Sequence, residues 1–291
     1  MRVFSSTCLG LVFVACLSPV ASAVPVTSGL QVHLDASAIT GLSSGDPVAT
    51  WADQSGNSRN ATAADANRPT YIANAMNGLP VVRFSGANAM LSSFPTNTFD
   101  VDGTTMLAVF RVQPTATAQY TLTSLHGSAG AGTPAGVNQA FMFVSRFATG
   151  DLFSSFDGTS GDNTSSQNLD GPYNDGLPHV FVSRANAGTS STNNIFQRAD
   201  GNEQITYGDA AQQSAVNLYS VGVLNNGMTN RLVGDLSEIL VYNRPLSATE
   251  VADSEAFLMQ KYAIPEPSSA ALCLAGMGLM FLRRRRATAT R

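Results

Sequence analysis

Two carboxylates three residues apart, Asp235 and Glu238, are the first candidates for chemistry in this chain. Paired carboxylates can act as general acid and base or as nucleophile and acid/base in sugar hydrolysis, provided their spacing suits the mechanism. A second candidate is the acidic stretch Asp151, Asp157, Asp162 and Asn163, with Asp170 and Asp175 following. Calcium takes six to eight oxygen ligands, which Asp, Asn and loop carbonyls supply. Asp157, Asp162 and Asn163 are therefore candidate Ca²⁺ ligands. Against this, Gly158 comes too early for an EF-hand and no Glu closes the loop, so a solvated turn-rich loop is the competing reading. His33, His126 and His179 lie far apart in sequence, without a G-x-S-x-G elbow, an H-x-x-x-H or an H-E-x-x-H. No catalytic triad is expected. Trp51, the only tryptophan, would stack on a sugar if exposed and anchor a core if buried; the Asp53 and Ser55 that follow favour a braced turn and a structural role.

The elements that must hold these residues are mainly strands. Alternating apolar and polar residues, bounded by Gly, Asn, Asp or Pro, predict strands at 30–34, 80–84, 104–112, 120–125, 141–147, 152–156, 179–184, 195–199, 217–224 and 232–242. Asn77-Gly78, Asp200-Gly201 and Asn225-Asn226-Gly227 read as turns. One helix is expected from a capping box, Ser247 to Glu250, with Val251, Leu258 and Tyr262 on one face and Glu255 at its rim. No βαβ rhythm and no internal repeat is present, so an all-β, two-sheet antiparallel jelly roll with a short C-terminal helix is expected.

Both ends carry address signals. Arg2, an apolar core at 8–17 and Ala21-Ser22-Ala23 fit a cleavable signal peptide over residues 1–23, with Val24 as the first mature residue. Lipidation at Cys16 is the rival reading, disfavoured by Phe13. At the other end Pro265-Glu266-Pro267 precedes an apolar run, 268–282, and then Arg283, Arg284, Arg285 and Arg286. The run is a short transmembrane segment whose arginines stay cytoplasmic, which leaves the body outside. All three cysteines, Cys8, Cys16 and Cys273, lie in these end segments, so the body at 24–264 holds no disulfide. That body has ten basic and 19 acidic residues, a net charge of −9. Such a surface repels phosphate backbones and excludes nucleic acid as an expected partner, while suiting neutral glycans or divalent cations.

Two resemblances follow from these residues. The Pro-Glu-Pro tripeptide, apolar run and arginine cluster at 265–291 resemble the PEP-CTERM sorting domain. That resemblance implies export, recognition by an exosortase, removal of the tail, and a link to exopolysaccharide or biofilm matrix. Leu30-Gln31-Val32-His33-Leu34-Asp35-Ala36 and the segment from Trp51 to Asn57, with Gly234 to Ser247 and Lys261-Tyr262 at the far end, resemble concanavalin A-like, laminin-G-like domains of bacterial surface proteins. Glucanases of that fold use a strand motif E-x-D-x-x-E. Here it reads Val233-Gly234-Asp235-Leu236-Ser237-Glu238, with Val at the nucleophile's place, so Asp235 and Glu238 are expected to pin a loop or bulge at a sheet edge. The expected function is a non-catalytic adhesion or carbohydrate-binding protein of the cell surface or matrix. A divergent glycoside hydrolase or lyase is the enzymatic alternative, and a purely structural matrix protein the third.

Overall fold

A computed structural model describes residues 24–93, 95, 98, 103–112, 120–126, 139–145, 150–155, 169–186, 195–201, 203–207, 218–224 and 230–265. The signal segment, Asp157, Asp162, Asn163, the Asn225-Asn226-Gly227 turn and everything from Glu266 onward lie outside them. The strands are β1 (Leu30–Asp35), β2 (Thr50–Trp51), β3 (Ala61–Thr62), β4 (Thr70–Met76), β5 (Leu79–Ser85), β6 (Met90–Ser93), β7 (Gly103–Val112), β8 (Tyr120–His126), β9 (Gln139–Ser145), β10 (Leu152–Ser155), β11 (His179–Asn186), β12 (Ile195–Ala199), β13 (Glu203–Tyr207), β14 (Leu218–Val221) and β15 (Val233–Tyr242); one helix follows, α1 (Ala248–Lys261). They form two antiparallel sheets. The first runs β13-β12-β11-β7-β15-β5-β4, with β1 also pairing β15, and the second runs β10-β9-β8-β14-β6-β3-β2. The fold is the expected two-sheet sandwich with one C-terminal helix, built from fifteen described strands rather than about ten.

Strand alternation sorts the side chains between two cores. Met106, Ala108, Phe110 and Val112 of β7 face the second sheet and join Leu34, Trp51, Phe84, Leu122, Tyr219, Ile239 and Val241. Leu107 and Val109 of the same strand face outward and meet a separate cluster: Val182, Leu240, Tyr242, Val251, Leu258, Met259 and Tyr262. Helix α1 thus covers the outer face of the first sheet and gives it a second core. Val24 and Val26, the first residues after the expected signal cleavage, are buried in that outer cluster, and Tyr242 Oη donates a 3.0 Å hydrogen bond to the carbonyl of Val26.

Local chemistry sets the ends of these elements. Ser247 caps α1, accepting from the Glu250 amide at 3.3 Å while Glu250 Oε2 accepts from the Ser247 amide at 2.9 Å. The turn Asn77-Gly78 joins β4 to β5 with both residues at positive φ (48° and 87°), a conformation that Asn and Gly tolerate. Between β12 and β13, Asp200 and Gly201 likewise take positive φ (52° and 72°). One side-chain expectation is overturned. Glu255 is not at the helix rim: it is 1% exposed, accepts from the Gly201 amide at 2.6 Å, and lies 2.7 Å from Arg198 Nε. Strand β12, through Arg198, and the turn after it, through Gly201, supply the polar partners that let this carboxylate enter the interface.

Candidate functional site

In a regular strand, residues three apart point to opposite faces. Asp235 and Glu238 do not, because β15 bulges against β7 between Leu236 and Glu238. Leu236 and Ile239 both point into the inner core, and Asp235 and Glu238 both point to the outer face. The bulge falls where the opposite side of β15 changes partner, from β5 (Leu236 opposite Val82) to β1 (Glu238 opposite Asp35). The expected bulge is therefore present. Its expected place at a sheet edge is corrected: β15 lies inside the sheet, between β7 and the pair β5 and β1.

Each carboxylate has its own set of partners. Asp235 is 2% exposed. Arg83 grips it bidentately, Nε to Oδ1 at 2.7 Å and Nη2 to Oδ2 at 3.0 Å, and Arg111 Nε donates to Oδ2 at 3.1 Å. Glu238 is 1% exposed. Its Oε1 shares a 2.8 Å hydrogen bond with His33 Nε2; its Oε2 accepts from Lys261 Nζ at 2.6 Å and from Tyr262 Oη at 2.9 Å. Lys261 also donates to Asp35 Oδ2 at 2.8 Å. Burial opposes the ammonium charge, but Glu238 and Asp35 outweigh it and raise the Lys261 pKa above the ordinary lysine value. Burial, then the charges of Glu238 and Asp35, push the Tyr262 phenol well up. Tyr262 therefore stays a neutral donor.

His33, Asp35 and Glu238 offer donor atoms within 4.8 Å of one another, the one such cluster among the described residues that could hold a metal. The ammonium of Lys261 already sits between the two carboxylates, so the chain supplies the cation itself and a metal would have to displace it. Sequence reading did not bring these residues together. The available signal was that Lys261, the body's one lysine, stands beside Tyr262 at the end of an otherwise acidic body.

The remaining candidates serve as braces. Trp51 is fully buried in the inner core. Asp53 behind it accepts from the His33, Ser55 and Arg59 amides at 2.9 Å each and from Ser55 Oγ at 2.8 Å, tying the 51–59 segment to β1. His179 is held between Asp200 (Nδ1 to Oδ2, 2.7 Å) and Asp175 (Nε2 to Oδ1, 3.0 Å). Burial lowers its pKa, but the two carboxylates more than offset this, so the net shift is upward. Asp151 accepts from the Gly171 amide at 3.2 Å. The three candidate calcium ligands themselves lie outside the described residues. Among the described residues no helix is long and apolar enough to cross a membrane, and the 268–282 run is not among them.

The fold and this geometry define a jelly-roll-like β-sandwich with a cross-linked outer face, and comparison with known proteins adds an address to it. Residues 263–286 match the PEP-CTERM protein-sorting motif, so the chain carries the mark of an exported protein, anchored by its C-terminus and processed by an exosortase. No curated protein matches the sequence. Among solved structures, a Trypanosoma rangeli sialidase bound to 2,3-difluorosialic acid as a covalent intermediate is similar over 85% of this chain and 35% of its own, with 14% identity and a TM-score of 0.54. The botulinum neurotoxin serotype D binding domain is similar over 80% of this chain and 52% of its own, with 8% identity and a TM-score of 0.54. The chain thus spans about a third to a half of these structures, and at such identities the likeness is one of fold.

Proposed function

We propose that this chain is a non-catalytic adhesion or carbohydrate-binding protein, displayed at the cell surface or in the surrounding matrix after exosortase processing. The observation that carries the non-catalytic reading is the burial of both motif carboxylates under fixed partners. Asp235 is neutralised by two guanidiniums, and Glu238 is held by His33, Lys261 and Tyr262. A glycosidic acid/base must reach the leaving oxygen within hydrogen-bond distance, and these oxygens face the chain's own donors. The missing carboxylate at Val233 points the same way, since double displacement needs two carboxylates about 5 Å apart. The sorting motif supplies the address, and the acidic body with its single lysine suits uncharged polysaccharide better than polyanions. Glycan-array binding by the 24–264 body tests the reading: retention on at least one class of neutral polysaccharide supports it, and uniform absence of binding favours a purely structural matrix protein.

One observation favours a second reading. The bulge keeps Asp235 and Glu238 on a common face, the arrangement that an E-x-D-x-x-E strand needs. A divergent glycoside hydrolase would release reducing sugar from β-glucans and lose that activity in Glu238→Gln. Release by the parent with loss in the variant would overturn the non-catalytic reading.

A further inference from the structure

The matched sorting motif does not begin beyond the folded body. Its first residues, Ala263 and Ile264, are built into it. Ile264 is only 6% exposed and belongs to the outer-face core, and its amide donates to the Met259 carbonyl at 2.9 Å. Ala263 takes a positive φ of 50°, closing the end of α1. Asn77, from the β4–β5 turn, donates through Nδ2 to the Tyr262 carbonyl at 2.6 Å. One residue earlier, Lys261 and Tyr262 are held by Asp35 and Glu238. Three residues, Pro265 to Pro267, then separate Ile264 from the apolar run at 268–282. Fully extended, they span about 10 Å. In the sequence only these three residues stand between the folded body and the apolar run.

We propose that removal of the tail requires residues 262–264 to unfasten locally from the body, and that Asn77 sets how often they do. The proposal rests on the sorting reading above. Proteases act on locally opened chain, and when opening is fast the rate of cutting follows the population of the open form. A membrane protease working on a segment tethered within about 10 Å of a folded domain meets that domain unless the fastening lets go. The fastening joins residues from β1, the β4–β5 turn, β15 and α1, so it exists only once the first and last strands have paired. Asn77 is a positioning residue here: it holds the Tyr262 carbonyl and takes no part in the cut.

The test is a pulse-chase of the full-length chain in an exosortase-bearing host, following loss of the tail as a mass shift. Asn77→Asp keeps a residue that tolerates positive φ and removes the donor. It should speed processing about fivefold, the factor that one ordinary hydrogen bond is worth. A six-residue Gly-Ser insertion after Ile264 should also speed it, and Asn77→Asp should add nothing on top of the insertion. Equal rates in the parent, Asn77→Asp and the insertion variant would overturn the fastening while leaving the sorting reading intact. Unchanged processing after replacing Arg283, Arg284, Arg285 and Arg286 by Ala would overturn the sorting reading instead, and no processing of the parent would overturn both. Hydrogen exchange gives an independent readout: the Ile264 amide should exchange about fivefold faster in Asn77→Asp, with β7 amides unchanged. If β7 loses protection as well, the substitution has disturbed the sheet, and the insertion variant, which leaves every fold contact in place, decides the matter.

Discussion

Glu238 has three polar partners, His33 of β1 and Lys261 and Tyr262 at the end of α1, and its side chain is fully enclosed. Removing one charge from such a cluster leaves Lys261 with a single, partly buried counter-ion, Asp35. Glu238→Gln should therefore destabilise the 24–264 body by about 3 kcal/mol, the lower end for breaking a buried pair, since Lys261 keeps some contact with solvent. The buried Trp51, the sole tryptophan, reports the urea midpoint by fluorescence; a change below about 0.5 kcal/mol, the scale of an ordinary surface substitution, would refute the enclosed-pair account. Two other residues give the body a pH profile. Burial raises the Glu255 carboxyl from 4.5 to about 7, against the pull of the Gly201 amide and Arg198. Between those values the folded body holds a proton that the unfolded chain releases, so stability falls as pH rises from about 4.5 to about 7. His179 adds to this: its folded pKa is raised above 6.5, so its contribution is complete below that value and is lost as pH rises through the folded pKa. Urea midpoints measured across this range should decline, and Glu255→Gln should flatten the lower part of the curve. A midpoint that rises with pH in the parent would contradict the assigned direction.

At the scale of elements, α1 is the part whose formation is most local. Its capping box satisfies two amide groups at the helix start, so Ser247→Ala should cost about 1 kcal/mol. That corresponds to a fall in Tm of about 2–4 °C for a body of this size, measurable by calorimetry. The box, both described hairpin turns and the positions of ten strands were legible in the sequence because each depends on neighbours a few residues away. The remaining strands were not. β4 breaks its alternation with a bulge between Ile72 and Met76, where Asn74 takes a φ of 54°. β13 reads Glu-Gln-Ile-Thr-Tyr, a polar edge strand, and β2 and β3 are two residues each. β7 and β15 were recognised as strands, yet their near-continuous burial hid a second core on the outer face. The Glu238 cluster was illegible for the same reason. His33, Glu238 and Lys261 are joined only by tertiary packing, 205 and 23 residues apart in the chain.

For the whole molecule, the sorting motif marks a body that is exported and processed, and the function proposed above adds that it binds polysaccharide. The purified 24–264 body should bind neutral glycan and release no reducing sugar, and Val233→Glu should not restore hydrolysis, because the oxygens of Asp235 and Glu238 stay engaged with their partners. Sugar release by that variant would place a dormant active site on the outer face. One feature of the topology reaches back to how such a protein is made. The strand that lies in the middle of the first sheet, β15, is the last of the described strands to be synthesised, and three earlier strands, β1, β5 and β7, all pair with it. A chain threaded across a membrane amino-terminus first delivers those three with open edges and holds them waiting for their keystone. During that interval the unfilled slot is open to any passing strand, including one from a second copy, so a delay in delivering the final 35 or so residues of the body lengthens the time in which the chain is exposed to mispairing.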